Sequence, residues 1–397
     1  MTTRFIISRA FAVAALLLSA AIPAWSADTT EVDPASVSDG LKAIFSYGNG
    51  TKAIKDRLNA NTVTVMSGTI GGTYVQFGAD LASVLDDGDD MRVLPIIGRG
   101  SVQSIADILF LRGVDVGIMR ADTLDYLEKK GYTGNIKGQF TYITKLYNEE
   151  MHVVAPKSIR KLSDLNGKRV AIDLPNGGTF VTAITIFERL GIKPVYAYIE
   201  QRIAYEKLKR GELDAVVAVQ GAPSRAVSQV KGDNLHFVPI EYTTPLQGDY
   251  LPSVLKAEDY PTLMAPGERV DTVAVPAILA AYNWPANTDR YRKVEHFVHV
   301  FFDKFQNFQQ PPFHPKWKEV VLGAPLKGWQ RFRPAQEWLD QHAGTTSSDA
   351  RGRFDAFLAS RAIPANERAA LTPEQSETLF QQFLVWQSAQ DQRGIKH

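Results

Sequence analysis

Three turns rich in glycine, serine and threonine carry the residue types that could capture an anion. Each follows an apolar stretch and precedes an amphipathic one, and they lie at 67–74, 98–103 and 174–179. Backbone N–H groups at a helix start lack intrahelical partners, and the helix dipole adds partial positive charge there. The turns therefore predict binding of a carboxylate or a phosphate. For any single turn, the alternative is a plain strand-to-helix connection in which glycine solves a backbone problem.

The elements that must position these turns alternate between strand and helix patterns. Residues 62–119 predict a βαβαβ unit, and residues 169–219 predict a second one. Such alternation indicates mostly parallel sheets whose crevices open at the carboxyl ends of the strands, where the turns lie. An apolar stretch at 270–281 predicts a return to the first sheet, so that the chain crosses twice between two lobes. We therefore expect a two-lobed α/β fold of the periplasmic binding protein (Venus-flytrap) kind, with a hinge between the lobes and a helical C-terminal extension.

Composition argues against several functional classes. The net charge of +1, from 44 basic and 43 acidic residues, gives no electrostatic reason to expect a nucleic-acid partner. The absence of cysteine removes thiol catalysis, disulfides and thiolate metal sites. Motifs of phosphate transfer, serine hydrolysis and zinc proteolysis do not occur, and Gly98–Gln103 lacks the third glycine of a dinucleotide fingerprint. We expect a protein that is not an enzyme and that needs no cofactor or metal.

The start of the chain predicts export. Arg4 and Arg9 flank a short positive start, and an apolar run follows it. Small residues then lead to a predicted cleavage after Ser26, with Ala27 as the less favoured alternative, as in a secretory signal peptide. The run is shorter than the roughly 20 residues that span a bilayer, although an uncleaved anchor is the alternative. We expect a periplasmic protein. The predicted segments are a signal peptide (1–26), an N-terminal helical or linker segment (27–60), lobe 1 (61–155), lobe 2 (156–250), a return to lobe 1 (251–315) and the helical extension (316–397).

Several short motifs stand in a fixed order along the chain. They are Val65–Tyr74, Gly100–Val102, Val114–Ile118, Leu146–Val154, Asp164–Val170 and Gly177–Thr179. In this order and spacing they resemble the TAXI-type solute receptors of TRAP transporters, whose fold is of the type II periplasmic binding protein kind. The resemblance covers about residues 63–315, and its specificity lies in the order of the motifs rather than in any one of them.

The resemblance implies an extracytoplasmic receptor for a small anionic metabolite, often glutamate or another dicarboxylate. Such a receptor delivers its solute to a separate TRAP-type membrane permease; the alternative is a sensor of the same fold that signals to a membrane partner. The implied binding residues are Thr69, Gly71, Gly72, Thr73, Tyr74, Ser101 and Val102 in lobe 1, and Asn176, Gly177, Gly178 and Thr179 in lobe 2.

Arg120 departs from the family pattern, which commonly has glutamine at this position. It stands at the carboxyl end of a predicted strand, so its planar guanidinium could hold a carboxylate at two points. The alternatives are an ion pair with Asp122 or Asp115, or a solvated edge position. The departure bears on which solute is bound.

Two further stretches are candidate walls of the cleft. Gln220 follows the last predicted strand of lobe 2, and Lys145, Glu149 and His152 cluster near the junction of the lobes. Glu149 could pair with a substrate ammonium group, which would make the ligand an amino acid. We expect instead that Lys145 and Glu149 face solvent and that His152 packs in the core.

Overall fold

A computed structural model describes residues 56, 59–87, 90–175, 177–232, 234–342 and 379. All of them belong to one compact unit that comprises Lys55–His397. The predicted signal peptide, most of the predicted N-terminal segment, Asn176 and most of the predicted C-terminal extension lie outside the described residues. Those parts of the sequence analysis therefore stay predictions.

The described chain builds two lobes joined by two long strands. The elements of lobe 1 are β1 (Thr62–Met66), α1 (Thr73–Leu85), β2 (Arg92–Ile96), α2 (Ser101–Phe110), β3 (Val116–Arg120) and α3 (Thr123–Lys129). The long strand β4 (Phe140–Pro156) leads to lobe 2, which has β5 (Arg169–Ala171), α4 (Gly178–Arg189), β6 (Val195–Ala197), α5 (Gln201–Lys209), β7 (Ala215–Gln220), α6 (Arg225–Ser228), β8 (Leu235–Phe237) and β9 (Leu251–Lys256). The second long strand β10 (Arg269–Tyr282) returns to lobe 1, where α7 (Asp289–Asp303), a short 3₁₀ helix (Pro315–Glu319) and α8 (Arg333–Gln341) follow.

The strands of both lobes join in one ten-stranded sheet. Eight strands follow the order β2-β1-β3-β10-β4-β7-β5-β6, and β8 and β9 add to it by pairing with β4 and β10. β1 pairs in parallel with β2 and β3, and β5 pairs in parallel with β6 and β7. These pairings are those of the two predicted βαβαβ units. β4 and β10, here called the crossing strands, run antiparallel to each other and contribute to both lobes. The predicted two-lobed α/β fold is therefore confirmed.

The return to lobe 1 occurs later in the chain than the predicted position 251. β9 pairs with Arg269–Ala274 of β10, and β8 pairs with the distal end of β4, so these segments extend the lobe 2 end of the sheet. Only from Ala277 onward does β10 pair with β3 of lobe 1. The correction arises because β9 lies in a stretch whose proline and glycine residues predict a loop rather than an edge strand.

Apolar packing holds the two lobes together. Ile105 of α2 and Tyr126 of α3 share one buried cluster with Val181 and Ile184 of α4. Tyr126 also makes an edge-to-face contact with Phe180, with ring centroids 6.1 Å apart. A second cluster fills lobe 1 and includes the side chains of α1, α7 and α8. Because a shared core crosses between the lobes, the space left between them is small.

Candidate functional site

A narrow cavity of about 50 Å³ lies between the lobes at the carboxyl ends of their strands. One water needs roughly 10–15 Å³ on this measure, so the cavity holds a few water-sized groups. All three predicted turns contribute to its wall. The lining residues are Gly68, Thr69, Gly72, Thr73, Tyr74, Arg99, Gly100, Arg120, Glu149, Asp173, Gly177, Gly178, Thr179, Val219 and Gln220.

Nine of the predicted binding residues line this cavity: Thr69, Gly72, Thr73, Tyr74, Arg120, Gly177, Gly178, Thr179 and Gln220. Their role in ligand binding stays a prediction, but the fold brings them together.

Three other predicted binding residues lie outside the lining for identifiable reasons. Gly71 has φ of 85°, so it supplies the left-handed turn before α1. The Ser101 hydroxyl accepts a hydrogen bond from the backbone N–H of Arg120 at 3.0 Å, and it therefore helps to fix the backbone of Arg120 without lining the cavity. Val102 packs against the core that the two lobes share.

A buried ion pair between Arg120 and Glu149 dominates the cavity wall. Arg120 Nε lies 2.5 Å from Glu149 Oε2, and the two side chains are 6% and 3% exposed. The Tyr74 hydroxyl donates to the same carboxylate oxygen at 3.0 Å. Arg120 Nη2 also donates to the backbone carbonyl of Val219. Arg120 of lobe 1 thus contacts both a crossing strand and β7 of lobe 2.

This pair corrects two expectations from the sequence. The ion-pair partner of Arg120 is Glu149, rather than Asp122 or Asp115, and Arg120 is not a solvated edge residue. Glu149 and Lys145 are buried rather than facing solvent. His152 packs in the core as expected, with its Nε2 2.6 Å from the hydroxyl of Tyr260.

The electrostatics of the pair follow from its burial. Desolvation raises the pKa of Glu149, while the Arg120 charge and the Tyr74 hydrogen bond oppose that rise. Burial alone would lower the pKa of Arg120, but the nearby Glu149 and Tyr74 give a net increase, so the guanidinium stays charged. Burial and the Glu149 carboxylate raise the pKa of Tyr74 well above its usual value, so its hydroxyl stays a hydrogen-bond donor.

Gly178 makes room for the guanidinium at the start of α4. A Cβ atom on Gly178 would lie 1.7 Å from Arg120 Nη1 and 2.7 Å from Ser101 Oγ. The turns also approach each other closely across the lobes, since a Cβ on Gly100 would lie 3.3 Å from the Cα of Gly177. The glycines of these turns therefore serve close packing between the lobes as well as the strand-to-helix connections.

Two residues of the cavity wall, Thr179 and Gln220, have side chains that already form hydrogen bonds within lobe 2. The Thr179 hydroxyl accepts from the backbone N–H of Val219 at 3.2 Å. Gln220 Nε2 donates to Gln201 Oε1 at 2.8 Å, and Ser224 Oγ donates to Gln220 Oε1 at 2.6 Å. These contacts fix the orientation of the Thr179 and Gln220 side chains in the wall.

Asp173 is a cavity residue that the predicted binding set missed. It follows β5 and adopts φ of 67°, an uncommon conformation for a residue other than glycine. Burial raises the pKa of its carboxyl group. Its place two residues after the end of β5 and before a glycine turn is the signal that could have identified it. With Asp173 and Glu149, the cavity contains carboxylates as well as arginines, so its wall is not uniformly positive.

The described residues contain neither a cluster of potential metal ligands nor a helix that could span a membrane. Within the ranges given above, no group of three or more potential metal-binding side chains comes together. None of the helices in the described part of the chain combines the length and apolarity needed to cross a bilayer.

A comparison with known families identifies the family of the chain. A model of the NMT1-like family matches residues 65–328, from within β1 to the residues before α8. The chain belongs to the NMT1-like family. The matched region includes most of both lobes, the crossing strands and every residue of the cavity wall. The TAXI assignment of this NMT1-like protein is finer than the family match, and it stays a prediction.

Solved structures give only distant similarities. A TctC solute-binding protein from Polaromonas is 12% identical, with 70% of this chain and 88% of that chain covered and a TM-score of 0.40. A mutant OxyR from Corynebacterium glutamicum is 14% identical, with 69% and 71% covered and a TM-score of 0.38. YhfZ from Shigella flexneri is 14% identical, with 66% and 97% covered and a TM-score of 0.37. At this level the similarities support no statement about the ligand of this NMT1-like protein.

Proposed function

We propose that this NMT1-like protein is a receptor that holds a small anionic solute in the cavity between its lobes and releases it unchanged. The observation that carries the proposal is the cavity itself. Two crossing strands join the lobes, three turns from both lobes meet at one point, and Arg120 reaches into that point. Hinge motion about such strands is a common way to seal a ligand between domains.

The polar groups of the wall favour a ligand with a carboxylate. The guanidinium of Arg120 can donate two hydrogen bonds to a carboxylate, and the backbone at the start of α4 adds partial positive charge. A carboxylate entering this space would compete with Glu149 for Arg120. We therefore propose that ligand entry accompanies a rearrangement of the buried Arg120–Glu149 pair, and that the ligand is small. Glutamate and succinate represent the proposed class.

The proposed setting is the periplasm, and the proposed partner is a TRAP-type membrane permease. Support comes from the TAXI resemblance and from the signal-peptide pattern of residues 1–26. In this setting the protein would deliver its solute to the permease and would perform no chemistry on it.

A thermal-melting screen of the chain without residues 1–26 tests the proposal. Glutamate, 2-oxoglutarate and succinate would be compared with neutral molecules of similar size, such as glycerol and glucose. Ligand at about a hundred times its dissociation constant adds roughly 2.7 kcal/mol to stability, which shifts a melt measurably. Stabilisation by an acid that is recovered unchanged supports the proposal. If no acid stabilises the protein and no small anion copurifies with it, the proposal fails.

A further inference from the structure

The crossing strand β4 places two neighbouring glutamates in different surroundings. Side chains alternate between the two faces of a strand, so Glu149 and Glu150 point in opposite directions. Glu149 lines the cavity, whereas Glu150 Oε1 lies 2.7 Å from Lys316 Nζ. The side chains of Lys316 and Glu150 are only 4% and 7% exposed. Lys316 is a buried cation that the proposed function does not use.

Glu150 stands at the point where β4 passes from one lobe to the other. It pairs with Ala274 of β10 and with Gln220 of β7 in the sheet. Its second carboxylate oxygen accepts from the backbone N–H of Ala222 at 2.7 Å. The Lys316–Glu150 pair therefore lies at the junction of the two lobes, next to the loop that follows Gln220 of the cavity.

Lys316 also packs against that loop directly. A Cβ atom on Gly221 would lie 3.5 Å from Lys316 Cε and 3.0 Å from the Tyr147 ring. Lys316 Nζ has a second carboxylate partner in Glu319, at 2.8 Å. The lysine side chain thus contacts both the Glu150 carboxylate and the loop at Gly221.

The backbone that carries Lys316 is fixed to lobe 1. The Trp317 indole N–H donates to Asp80 Oδ2 on α1 at 2.8 Å, and the backbone N–H of His314 donates to the same oxygen at 3.1 Å. Trp317 also stacks on Phe77 of α1, with ring centroids 4.1 Å apart. α1 is the helix whose first residues, Thr73 and Tyr74, line the cavity.

We propose that Lys316 is a positioning residue for the cavity. It is anchored to lobe 1 through Trp317, and it holds the Glu150 carboxylate and the 221–222 loop so that Val219 and Gln220 close over Arg120. Without the lysine charge, an ionised Glu150 would remain buried without a cation, so at a pH where this carboxyl group stays ionised the loop and the junction would open to water. The proposal concerns the junction and does not depend on which ligand the cavity binds.

Hydrogen exchange without ligand tests this role, using three variants of the full mature chain. Lys316→Met removes the charge and keeps much of the apolar stem, and Lys318→Met is the matched control because Lys318 is exposed in the same short helix. The double variant Glu150→Gln/Lys316→Met removes both charges together. We expect Lys316→Met to speed exchange of the amides of residues 219–222 at least tenfold more than that of β1. The double variant should recover most of the protection, and Lys318→Met should match the wild type.

Two results would overturn the positioning role. One is faster exchange spread evenly over both lobes, which is the signature of a merely destabilised fold. The other is unchanged exchange at 219–222 in a folded Lys316→Met protein. If Lys316→Met does not fold, Glu150→Gln alone provides the test, because it should give a smaller increase confined to the same residues.

Discussion

Glu149 and Glu150 are adjacent on β4, yet the structure uses them in different ways. Glu149 faces a cavity between the lobes, where it accepts from Tyr74 and pairs with an arginine from β3. Glu150 faces the back of the junction, where Lys316 from the short 3₁₀ helix of lobe 1 and a backbone N–H satisfy it. Burial raises the pKa of both carboxyl groups, to about 7 for Glu150. The difference shows that two adjacent buried carboxylates can differ in whether the fold leaves a cavity beside them.

The largest effect is expected at Gly178, on the cavity side. In Gly178→Ala the new methyl carbon would lie 1.7 Å from Arg120 Nη1, so we expect the guanidinium to be displaced from its place beside Glu149. Breaking a buried ion pair costs about 3–5 kcal/mol, and we expect the free energy of unfolding to fall by that amount. Chemical denaturation measures it. Gly134→Ala is the control, because its Cβ would meet open space; equal stability of both variants would contradict the packing described for Arg120.

On the back of β4, His152 predicts a dependence of stability on pH. It lies two residues from Glu150 on the same strand face, and burial lowers its pKa from 6.5 to about 4. Below about pH 6.5 the unfolded chain takes up a proton on His152, whereas the folded chain stays unprotonated there until about pH 4. The free energy of unfolding therefore decreases as the pH falls from 6.5 to 4.

The comparison variant His152→Gln has no such proton. Between pH 6.5 and pH 4 the unfolding free energy of the wild type should fall by about 3 kcal/mol relative to that of His152→Gln. This holds whatever the stability of the variant at pH 8. Denaturant titrations across this range give the difference. Parallel pH profiles for the two proteins would show that His152 is not kept neutral by the fold.

A moderate effect is expected for Tyr74→Phe, again on the cavity side. The change removes the hydroxyl that donates to Glu149 and leaves the ring in place. A hydrogen bond to a charged group contributes about 2 kcal/mol, so unfolding free energy should fall by roughly that amount. Tyr132→Phe, at a residue 68% exposed, serves as the matched control and should change stability little. Two equal losses would count against the hydrogen bond to Glu149.

The smallest effect concerns affinity and separates two roles for Glu149. If the ligand is a plain diacid, Glu149→Gln removes a like charge beside it and should tighten succinate binding about tenfold, or 1.4 kcal/mol. If Glu149 instead holds a ligand ammonium group, the same variant should weaken glutamate binding. Calorimetry with both acids distinguishes the outcomes, and unchanged affinity for both would remove Glu149 from the binding site.

Local patterns in the sequence were enough to predict the two βαβαβ units, the crossing between lobes and the convergence of three turns. They failed where burial depends on distant partners. Residues 140–150 contain lysine, asparagine and glutamate, which ordinarily indicate a solvated segment, but they form the first part of β4, which is buried along almost its whole length. Glu149 is buried because Arg120 reaches it from β3, and Glu150 is buried because Lys316 reaches it from a segment far along the chain. Such pairings have no periodicity that a single sequence could reveal.

The most direct test of the account is calorimetric titration of the mature chain with glutamate and succinate, in wild type and in Arg120→Lys. Lysine keeps the charge but loses the planar fork that holds a carboxylate at two points. Arg112→Lys, at an exposed arginine of lobe 1, is the control. We predict that at least one acid binds the wild type and the control equally and binds Arg120→Lys at least tenfold more weakly. Equal affinity in all three proteins, or no binding of either acid to the wild type, would contradict an anion site at Arg120.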